Sequence, residues 1–132
     1  MTLSVITSYE SKMKLLMNKE SGVIYVRDME FDFKDRNFKF HIQLDMLHLT
    51  TDRIRICDDN HNVIVSISSK SPIYLQCIFC ELCSYGFINV IYQHVYDYIR
   101  FNKRTDTKCE LKHTLDRLIR ERFIYDFEIK YS

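Results

Sequence analysis

The apolar residues of this chain change their spacing once, near residue 70, and that change restricts the folds open to it. Before it the apolar period is two, the repeat of a strand with one buried face. After it the period is close to 3.6, the repeat of an amphipathic helix. The clearest strand is residues 38–46. There Phe38, Phe40, Ile42, Leu44 and Met46 alternate with Lys39, His41, Gln43 and Asp45. In residues 23–33, Met29, Phe31 and Phe33 fall on one face. Asp28, Glu30 and Asp32 fall on the other, which reads as a solvated face. Residues 34–37 form a polar turn between these two strands. Thr50-Thr51-Asp52 and residues 58–62 mark two further turns, leading into strands at 53–57 and 63–68. Residues 18–22, ending in Gly22, read as a hairpin loop, with Met13, Leu15 and Met17 alternating ahead of it. A strand and a short helix both remain open for residues 8–17.

Ser71-Pro72 starts the helical half, with serine as the cap and proline at the first helical position. Residues 73–101 are mostly apolar and aromatic. Gly86 either divides them into two helices or marks a close contact. Thr107-Lys108-Cys109-Glu110 has the form of a capping box and opens a helix to about residue 122, with Leu111, Leu115, Leu118 and Ile119 on one face. Tyr125, Phe127, Ile129 and Tyr131 alternate again and predict a closing strand. The expected fold is therefore α+β. An antiparallel β-meander over about residues 11–68 is followed by two or three helices and a C-terminal strand, all in one domain spanning residues 1–132.

With 132 residues, 46% of them hydrophobic, the chain has enough apolar material for one packed core without disulfides or metal. It contains no alanine or tryptophan, two glycines and one proline. The scarcity of residues with GC-rich codons points to an AT-rich coding background and, for so small a chain, to a virus. Its five cysteines are odd in number, and its first residues lack a basic segment followed by an apolar run. Reduced thiols in the host cell cytoplasm or nucleus are expected. The 73–92 stretch approaches the roughly 20 residues of a membrane span. Gln76, Glu81, Ser84 and Asn89 argue against that, and a membrane partner is not expected.

No motif for catalysis or cofactor binding stands out, and neither a catalytic residue nor a cofactor is assigned. Two glycines exclude a glycine-rich phosphate loop. Cys77, Cys80 and Cys83 have a spacing that can ligate zinc or an iron–sulfur cluster, but their run reads as helix rather than as the tight turn such sites use. Packing in a core or interface is the expectation, and no metal ligand is assigned. Of the five histidines, His41 lies on the polar face of its strand and His61 in a polar turn. Between Arg100 and Arg122 eight basic residues face four acidic ones. Arg100, Lys103, Arg104, Lys108, Lys112 and Arg120 are the candidate phosphate contacts, with Phe101 placed to stack on a base. Tyr85, Tyr92, Tyr96 and Phe101 are the candidate anchors for a protein partner.

The run from Asn18 through Gly22 and Val26, the turn Lys34-Asp35-Arg36-Asn37, and the strand Phe40-His41-Ile42-Gln43-Leu44 resemble the opening of the pathogenicity proteins of geminivirus betasatellites. The later helix followed by an alternating strand is similar too. The resemblance covers about residues 18–50 and 107–131. It implies a virulence factor that suppresses RNA silencing, binds nucleic acid and self-associates. The expected function is that of a non-enzymatic viral accessory protein that counters host defence, as in immune evasion, by binding a host protein. A nucleic-acid-binding silencing suppressor and a self-assembling, matrix-like homo-oligomer are the alternatives.

Overall fold

The computed structural model describes residues 8–17, 25–45, 52–101, 105–122 and 127–131. Six strands form one antiparallel sheet in simple sequence order: β1 (Glu10–Met17), β2 (Tyr25–Phe33), β3 (Phe38–Asp45), β4 (Arg53–Asp58), β5 (Val63–Ser68) and β6 (Glu128–Tyr131). Three helices lie between β5 and β6 in the chain: α1 (Pro72–Leu82), α2 (Tyr85–Arg100) and α3 (Thr105–Arg122). The α+β meander read from the sequence is thus the fold. Residues 10–17 are strand rather than helix, and the C-terminal strand joins the sheet beside β5. The hairpin loop expected at 18–22 lies outside the described residues.

The β2–β3 connection shows how local sequence sets the register. Lys34–Arg36 make a single 3-10 turn, closed by Asn37 in the left-handed region at φ 49°. Asparagine tolerates that conformation better than most residues. The turn sets Phe33 opposite Phe38, and hence Glu30 opposite His41 and Asp28 opposite Gln43. A one-residue slip would send every side chain of a strand to the other face.

The apolar face of the sheet packs against the helices. Phe31, Phe33, Phe40, Ile42, Ile54 and Ile56 are buried there, together with Leu75, Ile78, Ile91, Tyr92, Leu115 and Ile119 from the helices. Ser71 caps α1 by accepting a hydrogen bond from the Tyr74 amide, with Pro72 at the helix start. The break between α1 and α2 falls at Cys83 and Ser84 and bends the pair by 80°. Gly86 lies inside α2, and a Cβ placed on it would meet nothing within 4 Å. It is neither the breakpoint nor a close contact. α3 begins two residues before the expected Thr107, which therefore lies within its first turn. Among the described residues no single helix is long and apolar enough to cross a membrane.

Candidate functional site

The polar face of the sheet is not uniformly solvated. Asp28 is 2% exposed, His41 3% and Gln43 3%, which corrects the reading of Asp28 as part of an open acidic face. These residues are cross-strand and diagonal neighbours on β2 and β3. The β4–β5 turn stands beside them. Asp58 accepts from the amides of Asn60 and Asn62 and from the Asn62 side chain, while His61 takes a left-handed φ of 63°. The turn thereby lays the His61 ring on that of His41, with centroids 4.2 Å apart.

Within the cluster Asp28 is the acceptor. His41 Nδ1 lies 3.1 Å from its Oδ1, Gln43 Nε2 donates to the same oxygen at 3.1 Å, and His61 Nε2 lies 3.7 Å from Oδ2. Burial alone raises the pKa of the Asp28 carboxyl. The hydrogen bonds from His41 and Gln43, aided by the charge of both imidazoles when protonated, outweigh that and leave it below its ordinary value. Cys57 donates to Gln43 Oε1 at 3.7 Å. An ionised carboxylate can only accept, so a neutral His41 carries its proton on Nδ1 and its lone pair on Nε2. That Nε2 is buried and has no hydrogen-bond partner among the described residues.

An oriented imidazole is half of a general-base device, yet no hydroxyl or thiol among the described residues bonds to its free nitrogen. Burial pushes the Cys57 thiol up to about 11, which suits a packed group and not a nucleophile. Of the three cysteines expected to pack in a core or an interface, Cys83 packs against the core. Cys77 and Cys80 are exposed and Cys83 is partly buried, its thiol raised by burial to about 12. The buried side of α1 is Leu75, Ile78, Phe79 and Leu82. Alkylation of the native chain, read by mass spectrometry, should therefore modify Cys77 and Cys80 within minutes and reach Cys57 only on unfolding.

A second feature lies on β1, an edge strand paired only with β2 among the described residues. Met13 is 59% exposed, Leu15 58% and Met17 59%, with Leu16 also exposed. Met13 and Leu15 stand opposite Met29 and Arg27, on the side of the sheet that carries the helices.

No family model, curated protein or solved structure matches this chain.

The residues singled out from the sequence are distributed unevenly. Tyr92, expected at a surface, is 1% exposed and packs in the core against Phe33 at 4.4 Å and Phe38 at 5.6 Å. Tyr96 is partly buried between Phe38 and Tyr92, under the Arg100 guanidinium. Tyr85 and Phe101 are exposed, Tyr85 stacking on Tyr9. Lys103 and Arg104 lie outside the described residues. Lys108 sits over Tyr131, Arg120 is held by Asp116 at 3.1 Å and lies over Phe127, and Lys112 is exposed. Sequence reasoning missed the Asp28–His41 pair and the β1 stripe as sites. The length of the 34–37 turn carried the signal for the first, because it alone sets which residues of the two strands face each other.

Proposed function

We propose that this chain is a non-catalytic binding module that takes up an extended segment of a partner protein as an added strand along β1. The observation behind this reading is the exposed apolar stripe Met13, Leu15 and Met17 on a sheet edge. An unpaired edge supplies main-chain donors and acceptors that a strand satisfies best, and apolar side chains along it give that strand something to bury. Soluble proteins usually protect such edges, and exposed contiguous apolar surface marks interaction sites.

The chemistry of the occupant follows from the strand itself. Lys12 and Lys14 alternate with Met13 and Leu15, and β2 answers them with Glu30 and Asp28 opposite the lysines. A partner strand of the same character, acidic and apolar by turns, fits the outer edge. Such a module suits an accessory protein of an AT-rich virus that acts on a host protein in the cytoplasm or nucleus.

The test uses a labelled peptide copying residues 25–33, titrated into the full chain and followed by fluorescence anisotropy. Saturable binding should be weakened about tenfold or more by Met13→Lys with Leu15→Lys, a change worth about 1.4 kcal/mol or more. Both positions are exposed, so the fold should survive. No binding, or binding indifferent to the double substitution, would overturn the reading. Self-association abolished by the same substitution would replace the foreign partner with a second copy.

A further inference from the structure

We propose that Glu30, His41 and Asp59 form a binding site for a divalent transition-metal ion, built on the polar face of the sheet where the sequence alone assigns no metal ligand. This inference stands apart from the β1 edge. The three residues offer ligand atoms that lie within 4.8 Å of one another. Glu30 and His41 are directly opposite on β2 and β3, and Asp59 comes from the β4–β5 turn.

The decisive group is His41 Nε2. It is buried, bonded to nothing among the described residues, and 3.8 Å from Asp59 Oδ1. Because Asp28 holds the proton on Nδ1, a neutral His41 turns a lone pair toward two carboxylates. A lone pair so placed has no proton to share with them, and a cation among the three satisfies all of them at once. Ligands on one tetrahedral ion lie about 3.3–3.6 Å apart, from metal–ligand distances of about 2.0–2.2 Å. Side-chain rotation of Asp59, whose carboxylate is mostly exposed, and of Glu30 closes the difference without moving the strands.

The surroundings fit this assignment. A metal-bound histidine commonly gives its other N–H to a carboxylate, which fixes the ring and raises its basicity. Asp28 has that place, itself held by Gln43, which in turn accepts from Cys57. One imidazole with two carboxylates suits zinc, manganese or iron(II) better than calcium, which prefers oxygen alone. A second grouping, Asp28 with His41 and His61, shares the buried histidine. A bound ion would tie the β4–β5 turn to the β2–β3 hairpin.

The experiment titrates Mn2+ into the chelator-treated full chain and follows the free-ion electron paramagnetic resonance signal. One ion per chain should be taken up, and Zn2+ should displace it, in keeping with the usual order of affinities. Asp59→Asn and Glu30→Gln should each weaken binding about tenfold or more, and Asp28→Asn, which acts through His41, by about 10–100-fold. The triple variant Cys77→Ser, Cys80→Ser, Cys83→Ser should leave the affinity unchanged. Circular dichroism melts confirm that each variant is folded. Failure to take up Mn2+ or Zn2+, uptake indifferent to Asp59→Asn and Glu30→Gln, or uptake abolished by the cysteine variant would overturn the proposal.

Discussion

Asp28→Ala should destabilise the fold by about 2–4 kcal/mol, although no apolar contact of the core is touched. The carboxylate is buried and receives His41 Nδ1 and Gln43 Nε2 on one oxygen. Alanine leaves both donors in place, shut away from water and without an acceptor, and an orphaned buried donor costs more than the bond itself contributed. Asp28→Asn keeps the shape and one acceptor oxygen, so its cost should be smaller, about 1–2 kcal/mol. Urea unfolding in chelator-containing buffer measures both. The same contacts set a pH dependence. The folded carboxyl lies below its ordinary value, so its contribution is complete above the unfolded value and is lost as pH falls through the lowered folded one. The wild-type chain should therefore lose more stability on acidification than Asp28→Asn does. Equal acid sensitivity of the two chains, or a cost of Asp28→Ala under about 0.5 kcal/mol, would show that the network is solvated.

Much of the fold was legible because it rests on periodicity. The alternation of Phe38, Phe40, Ile42 and Leu44 names the face that must be covered, and the helices that follow carry a matching apolar stripe. The Ser71-Pro72 start is chemical and local, and it holds in the structure. The candidate site was less legible because alternation separates two faces without saying how wet the second one is. Asp28, Glu30 and Asp32 look equivalent in the sequence, yet only Asp28 is buried. The difference arises from the β4–β5 turn, where a left-handed His61 brings its ring over His41. That approach depends on the register of β3 with β4, which local sequence does not encode. Tyr92 illustrates the converse. An aromatic in an amphipathic helix reads equally well as anchor or core, and only the packing of Phe33 and Phe38 against it decides. Gly86 misled for a related reason: the helix break falls at Cys83 and Ser84 before it, and the glycine merely sits in the first turn of α2.

The aromatic core predicts the largest single effect. Phe40 is fully buried in β3, and its ring stacks on Phe31 at 5.3 Å and Phe33 at 6.0 Å, with Phe38 at 5.9 Å. Phe40→Ala removes the ring from the middle of the cluster that joins β2 and β3 to α2. Neighbours fixed by a sheet register close such a cavity poorly, so the cost should be about 3–5 kcal/mol. That is a large share of the roughly 5–15 kcal/mol by which domains of this kind are stable. Phe40→Leu refills most of the space and should cost less, within the range of ordinary core substitutions. Tyr85→Ala provides the contrast. Its ring is more than half exposed and touches only Tyr9 among the described aromatic side chains, so its effect should stay within about 0.5 kcal/mol. Thermal and denaturant melts of the three variants measure the series. A loss from Tyr85→Ala as large as that from Phe40→Ala would mean that the core is not centred on the β2–β3 aromatic cluster. It would also weaken the β1 proposal, because Met13 and Leu15 stand clear of the core only if the helices are seated on these phenylalanines.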